Sequence, residues 1–275
     1  MDRKPKKWTR RDWLLRGCYA ATGGVFAYGS LFERLHLRVE RVACPLSKRH
    51  AHLDGLRIGF LADFHYDDFG NETMMRRAVR TVNEEAVDLV ILGGDYVSTD
   101  PDHLEPLAEI LQDLRSRLGV FGIFGNHEYH YDSRLALKIL GDTGVRFLVN
   151  AVEEFENFSL VGQDSAWEGT PNLAVNLRRA EKDKPIVLGW HEPDTFDFYK
   201  DPAVVLQLSG HSHGGQVCAP FYGPLLLPHL AKKYPTGLYR DGERHLYVSR
   251  GLGTLNIPVR LLCPPEVTIV KFSAA

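Results

Sequence analysis

The run Leu89-Val90-Ile91-Leu92, set between Asp88 and Gly93-Gly94-Asp95, constrains the fold most. Its consecutive apolar residues leave no face for solvent. Such a strand is buried on both sides, as in a parallel sheet covered by helices. The two glycines allow a sharp turn and close approach of a neighbour. Asp95 is therefore expected at the carboxyl end of a central strand, where open α/β sheets bind ligands. Alone, the motif reads more simply as a turn in which Asp95 caps a helix. The neighbouring strand ends decide between the two.

Residues 56–62 read as a strand that ends in Asp63-Phe64-His65. The spacing of Met75, Val79, Val82 and Ala86 predicts a helix over 71–86, with Asn71 as its cap. A second helix is expected over 102–117, from Leu104, Leu107, Ile110, Leu111 and Leu114, capped near Asp100 or Asp102 with Pro101 at its start. Residues 120–124 form a third strand ending in Gly125-Asn126-His127-Glu128, followed by a helix over 132–142 and a strand over 145–149. Asp63 and Asp95 are 32 residues apart, and Asp95 and Asn126 are 31 apart, the size of a βαβ unit. Three parallel strands would each deliver a polar tip to one sheet edge. The second half is richer in strands, at 158–162, 185–189, 204–208, 245–250 and 266–272. Two of these lead into His191 and Gly210-His211-Ser212-His213.

Each tip is weak evidence by itself, since a lone histidine is usually a satisfied core or surface residue. Together they present Asp63, His65, Asp95, Asn126, His191, His211 and His213. Alternation along a strand would aim Asp63 and His65, and likewise His211 and His213, at one spot. Oxygen and nitrogen donors without thiolate suit two divalent ions, Mn²⁺ first among Zn²⁺, Fe and Co²⁺, and disfavour Ca²⁺. Cys18, Cys44, Cys218 and Cys263 are scattered, so neither a zinc knuckle nor a redox pair is indicated. A bridging carboxylate is needed to hold two cations about 3.5–4 Å apart, and Asp95 is the candidate.

In order and spacing, Asp63-Phe64-His65, Gly94-Asp95, Gly125-Asn126-His127-Glu128, His191 and Gly210-His211-Ser212-His213 resemble the calcineurin-like metallophosphoesterases. The resemblance covers residues 63–213. It implies an α/β fold: a four-layer α/β/β/α sandwich of two mixed sheets flanked by helices. It implies one metal on Asp63, His65, Asp95 and His213, and another on Asp95, Asn126, His191 and His211. It makes His127 the catalytic histidine that is not a ligand, acting on the leaving oxygen. The alternative for His127 is a partner that orients Asn126 or Asp95. Two cations lower the pKa of a bridging water, and the hydroxide would attack phosphorus in line. His130 and Arg250 are looser candidates for substrate contact, with a surface salt bridge as the alternative for Arg250.

Residues 1–50 read as a separate segment and connector, and 51–275 as the metallophosphoesterase domain. Arg3, Lys4, Lys6, Lys7, Arg10, Arg11 and Arg16 precede an uncharged run over 17–32. Thr9-Arg10-Arg11-Asp12-Trp13-Leu14 resembles a twin-arginine signal. No small-x-small cleavage site follows, so an uncleaved membrane anchor, a membrane-surface helix and a basic tail are the alternatives. The run is shorter than the roughly 20 residues a spanning helix needs. Net charge is −2, and no basic, aromatic-studded groove is visible, so nucleic acid is not an expected partner.

After His213, residues 219–230 are apolar and aromatic, interrupted by prolines, and either meet lipid or fold back as core. From Gly-His-Ser-His-Gly-Gly-Gln through Ser249-Arg250-Gly251-Leu252-Gly253, the tail resembles a membrane-associated bacterial branch of the family. That branch includes phosphodiesterases and UDP-2,3-diacylglucosamine pyrophosphatases of lipid A biosynthesis. The resemblance implies a phosphorylated, lipid-linked small-molecule substrate and a membrane surface as partner, on either its exported or cytoplasmic side. A phosphodiesterase or phosphatase on soluble substrates is the alternative, and a non-catalytic scaffold on the same fold a more distant one.

Overall fold

The structure, a computed structural model, describes residues 9–67 and 71–274. The chain opens with helix α1 (Arg10–Leu31), then β1 (Arg38–Leu46) and β2 (Arg57–Leu61). Helix α2 (Glu72–Glu84), β3 (Leu89–Leu92), α3 (Leu104–Leu111), β4 (Val120–Gly122), α4 (Ser133–Gly141) and β5 (Arg146–Phe147) follow as alternating units. The second half contains β6 (Ala151–Glu154), β7 (Ser159–Gly162), α5 (Leu173–Arg179), β8 (Ile186–Gly189) and β9 (Val204–Ser209). A short hairpin, β10 (Cys218–Ala219) and β11 (Gly223–Pro224), leads to β12 (Gly237–Asp241), β13 (Arg244–Val248) and β14 (Glu266–Ala274).

Two six-stranded mixed sheets result, in the orders β1-β14-β2-β3-β4-β5 and β12-β13-β9-β8-β7-β6. Strands β2 to β5 run parallel, as the spacing of the polar tips predicts. Strand β14 inserts antiparallel to β2 and parallel to β1. The period-2 alternation of each strand splits its side chains between two cores. Ile58, Phe60, Leu89, Ile91 and Phe121 face Leu160, Val187, Leu206 and Leu208 of the second sheet. Leu61, Val90 and Leu92 face outward onto Met75, Val79 and Val82 of α2, Leu107 and Leu111 of α3, and Leu140 of α4. On the far side Val161, Leu188 and Val248 pack with Trp190, Phe196 and the α5 residues Leu173 and Leu177. The layers are helix, sheet, sheet, helix, as the family resemblance implies.

Three local expectations change. Asn71 stands at the N-cap position of α2, as expected, but its side chain does not do the capping. It is buried, makes no cap hydrogen bond, and its Nδ2 reaches the His65 carbonyl at 3.4 Å. Ala86 lies past the helix at φ +48, and Val87 takes the core position instead. Helix α3 stops at Leu111, after a 3-10 turn over Pro101–His103 in which Asp100 accepts from the Asp102 amide. Asn83 of α2 explains the early stop: it binds the Asp113 carbonyl and the Arg115 amide, each at 2.8 Å, groups a longer helix would have used.

Residues 38–46, read above as connector, are an edge strand paired along its whole length with β14. Helix α1 starts in a capping box, in which Thr9 and Asp12 bond each other's backbone amides. The basic residues Arg3, Lys4, Lys6 and Lys7 lie outside the described residues. Trp13, Leu14, Tyr19, Phe26 and Phe32 are exposed, and Gly29 is the buried residue of α1. There the helix touches the body, with the Arg260 amide donating to the Gly29 carbonyl at 3.2 Å. Among the described residues no helix is long and apolar enough to cross a membrane.

Candidate metal centre

Strands β2, β3, β4, β8 and β9 all end at one edge, between the two sheets. The pairing of β2 with β3 continues past both strands: the Asp63 amide donates to the Gly94 carbonyl and the His65 amide to the Asp95 carbonyl, each at 3.0 Å. Simple alternation does not aim these side chains. Asp63, His65, Asp95, His211 and His213 all have left-handed backbone, with φ of 52, 38, 56, 68 and 50°. Such a conformation costs a residue with a Cβ roughly 1–2 kcal/mol. The strain is concentrated where the chain must turn a polar side chain inward at a strand end.

Glycines make room for the carboxylates. A side chain at Gly125 would collide with the Asp95 carboxylate, and one at Gly210 or Gly251 with Asp63. The ligand atoms of Asp63, His65, Asp95 and His213 lie within 4.8 Å of one another, and so do those of Asp95, His191 and His211. Asp95 belongs to both groups. Its Oδ2 stands 3.1 Å from His191 Nε2, without hydrogen-bond alignment, and 3.4 Å from His65 Nε2. Asp63 Oδ2, Asn126 Oδ1 and His213 Nδ1 are buried without a hydrogen-bond partner. Buried polar atoms left unpaired are costly, and orphaned atoms on three of the candidate ligands fit a site that cations complete. The donor set fits a pair of divalent ions, with Asp95 between them.

Second contacts fix which nitrogen each histidine presents. A carbonyl only accepts, so His191 Nδ1 donates to the Gly93 carbonyl at 2.6 Å and leaves Nε2 for the site. His211 Nε2 donates to the His229 carbonyl at 2.8 Å and leaves Nδ1. His127 Nδ1 donates to the Ser98 carbonyl at 2.6 Å and leaves Nε2. The hydroxyl of the same serine lies 3.2 Å from His65 Nδ1. His127 also ties its amide to Asp95 Oδ1 at 3.0 Å, and its ring stands edge-on to His65.

The electrostatics suit metal binding. Burial lowers His65 to about 4. It lowers His211 to about 4, with the charge of His191 adding to the effect, and holds His213 well below its usual range. These imidazoles are neutral and free to coordinate. Burial pushes Asp63 up, opposed by His191 and aided by Asp95. Burial also works against charge on His191, yet the carboxylates of Asp95 and Asp63 outweigh it and keep that ring protonated. A cation would supply the same positive charge and displace that proton.

Several residues of the site had no assigned role in the sequence reading. Glu128 is fully buried, and its carboxylate accepts the amides of Asp95, Tyr96 and Gly125 at 2.9, 2.9 and 2.7 Å. It clamps the β3 and β4 ends together, and its place two residues after Asn126 was the available signal. Glu192, next to His191, accepts the Ser165 hydroxyl at 2.5 Å and the Ala166 amide at 2.9 Å. That holds the loop carrying Trp167, whose half-exposed ring stands 5.5 Å from His211. Arg260 is fully buried and binds the carbonyls of Gly253 and Cys263, bracing the loop that packs on Asp63. Nothing local marked Trp167 or Arg260.

The looser candidates stand apart from the ligand cluster. His130 is exposed and stacks edge-on against His127. Arg250 is engaged by two carboxylates: Glu40 Oε1 at 2.5 Å and, as an ion-pair contact without hydrogen-bond alignment, Glu266 Oε2 at 2.7 Å. Residues 219–230 are not folded back as core, since Phe221, Tyr222, Leu225 and Leu226 are exposed.

Comparison with known proteins agrees with this site. The family model described as calcineurin-like phosphoesterase matches residues 56–215, which contain every candidate ligand. The chain is 30% identical over 279 residues to the uncharacterized metallophosphoesterase YkuE of Bacillus subtilis (strain 168), covering 96% of this chain and 97% of that one. It is 34% identical over 227 residues to phosphodiesterase YaeI of Escherichia coli (strain K12), covering 78% and 81%. It is 28% identical over 272 residues to a transmembrane protein with metallophosphoesterase domain of Danio rerio, covering 92% of this chain and 61% of that one. The chain belongs to the calcineurin-like phosphoesterase family, and it is a hydrolase of phosphoester bonds.

Proposed function

We propose that the chain hydrolyses a phosphodiester or pyrophosphate bond of a lipid-linked substrate at a membrane surface, with UDP-2,3-diacylglucosamine as an example of the class. The observation that carries this reading is the apolar hairpin beside the metal centre. His229 holds the ligand His211, and the segment before it exposes Phe221, Tyr222, Leu225 and Leu226 to solvent. Exposed apolar clusters of this kind mark contact with lipid or an apolar ligand. The hairpin is joined through the Val217–Leu261 bridge to the segment that touches α1, whose aromatic side chains are also exposed. The basic residues before and within α1 would complement anionic headgroups. In this reading the chain before β1 is the membrane-contacting segment.

Asp63, His65, Asp95 and His213 would hold one divalent ion, and Asp95, Asn126, His191 and His211 the other. Mn²⁺ is our first choice for both. Bound there, the cations supply positive charge that activates water and neutralises phosphoryl oxygens. Asp95 keeps the two positions together, and Glu128 keeps Asp95 in place. His127, its Nδ1–H on the Ser98 carbonyl, would act on the leaving oxygen through Nε2, which donates a proton when the ring is an imidazolium.

The test compares the Mn²⁺-loaded full chain on UDP-2,3-diacylglucosamine in mixed micelles with an aryl phosphodiester. The expected result is faster turnover of the lipid-linked substrate, with Phe221→Ser plus Leu226→Ser slowing that substrate alone. Equal sensitivity of both substrates to those changes would favour a second reading, a phosphodiesterase of soluble substrates, for which the name of the Escherichia coli relative speaks. His127→Ala should abolish turnover of either while leaving metal content intact.

A further inference from the structure

Two thiols far apart in sequence meet directly behind the candidate ligand His213. Cys263 Sγ donates to the His213 carbonyl at 3.2 Å and lies 3.5 Å from the Gly214 carbonyl. Cys218 Sγ donates to the same Gly214 carbonyl at 3.4 Å. Both sulfurs are therefore within 3.5 Å of the Gly214 carbonyl oxygen. The backbones that carry them are joined, with the Cys218 amide on the Leu261 carbonyl at 2.9 Å. Cys263 is buried, whereas Cys218 is partly exposed and reachable from solvent. The sequence, with no Cys-x-x-Cys, indicated no redox pair.

We propose that Cys218 and Cys263 form a reversible disulfide with an oxidant of the disulfide class, RS–SR. Cys218, the accessible sulfur, loses its proton and attacks one sulfur of the oxidant. A Cys218–SR bond forms, and RS⁻ leaves and takes up that proton as RSH. Cys263 then attacks Cys218 Sγ, the Cys218–SR bond breaks, and the second RS⁻ takes the proton lost by Cys263. Two protein thiols are oxidised, one disulfide oxidant is reduced, and two RSH are released. The pairing is short-range because both sulfurs already point at one carbonyl.

The bond would act on the turn that follows His213. Gly214, Gly215 and Gln216 all have left-handed backbone, with φ of 59, 83 and 57°. A side chain at Gly214 would strike Cys263 Sγ. Oxidation would remove the Cys218 S–H from the Gly214 carbonyl and the Cys263 S–H from the His213 carbonyl, and would tie the turn covalently to the segment before β14. This inference is independent of the substrate assigned above, because its readout is a covalent bond.

The experiment treats the full chain, as Cys18→Ser to remove the exposed thiol, with oxidised glutathione or with dithiothreitol. Free thiols are then blocked with N-ethylmaleimide, and peptides are mapped by mass under non-reducing conditions. The expected result is one cross-linked pair holding Cys218 and Cys263, with both labels lost together and both regained on reduction. Cys44, buried elsewhere, should stay outside that pair. In Cys263→Ser the resolving sulfur is gone, so Cys218 should retain glutathione. Independent labelling of Cys218 and Cys263 after oxidation would overturn the proposal, as would a lasting glutathione adduct on Cys218 when Cys263 is present.

Discussion

Changing Glu128 to Gln removes one charge and one acceptor and keeps the shape. Oε2 of Glu128 accepts the Asp95 and Gly125 amides, and Oε1 accepts the Tyr96 amide and the Tyr131 hydroxyl. An amide has a single oxygen. Whichever way it turns, its NH₂ faces two of these donors. Each buried donor left unpaired costs about 1–3 kcal/mol, and the Tyr131 hydroxyl can turn to accept, so the gross loss is roughly 1–6 kcal/mol according to which way the amide turns. Burial and the nearby Asp95 carboxylate raise the pKa of Glu128, so its charge is itself costly and Gln recovers part of the loss. The net expectation is a destabilisation of about 2 kcal/mol. A second effect is local: without the clamp, the β3 and β4 ends no longer hold Asp95 and Asn126 together. Loss of such an outer contact typically weakens metal binding about 10–100-fold. Urea denaturation of chelated protein reads the first effect, and Mn²⁺ titration the second. A stability change inside about 0.5 kcal/mol, the range of ordinary surface substitutions, together with unchanged Mn²⁺ affinity, would refute the clamp.

The protonation states predict a pH dependence with a definite sign. Burial raises the pKa of Asp63, so the metal-free fold is favoured by this group below the ordinary carboxylate pKa of about 4 and loses that contribution as pH rises through the folded value. Metal requires the ionised carboxylate and an unprotonated His191, whose proton is held by Asp95 and Asp63. The gain in Tm on adding Mn²⁺ should therefore grow from acid toward neutral pH, and a gain flat with pH would contradict these assignments. Arg250→Ala leaves Glu266, almost fully buried, without its ion-pair partner. Breaking a buried pair costs about 3–5 kcal/mol, so the urea midpoint should fall markedly. An unchanged midpoint with a raised KM would instead identify Arg250 as a phosphate contact.

What local pattern determined here is considerable. Unbroken apolar runs such as Leu89–Leu92 dictate strands buried on both faces. The near-constant interval between polar tips dictates parallel neighbours. The chemistry of the tips dictates a metal-type donor set, because apolar strands deliver polar residues only where they end. Side-chain period and residue type are properties of neighbours in the chain, so they can be read without a fold.

Tertiary structure decided the rest. Strand β1 acquires its place from β14, more than two hundred residues away, and nothing within residues 38–46 marks it. Asp63, His65, His211 and His213 reach the site through left-handed backbone that only the surrounding contacts sustain. Arg250 is occupied by Glu40 and Glu266, Asn83 ends a helix other than its own, and Cys218 and Cys263 meet at the Gly214 carbonyl. In each case the partner is distant in sequence. Periodicity carries no information about which distant group will satisfy a charge or a hydrogen bond; only the packed sheets do.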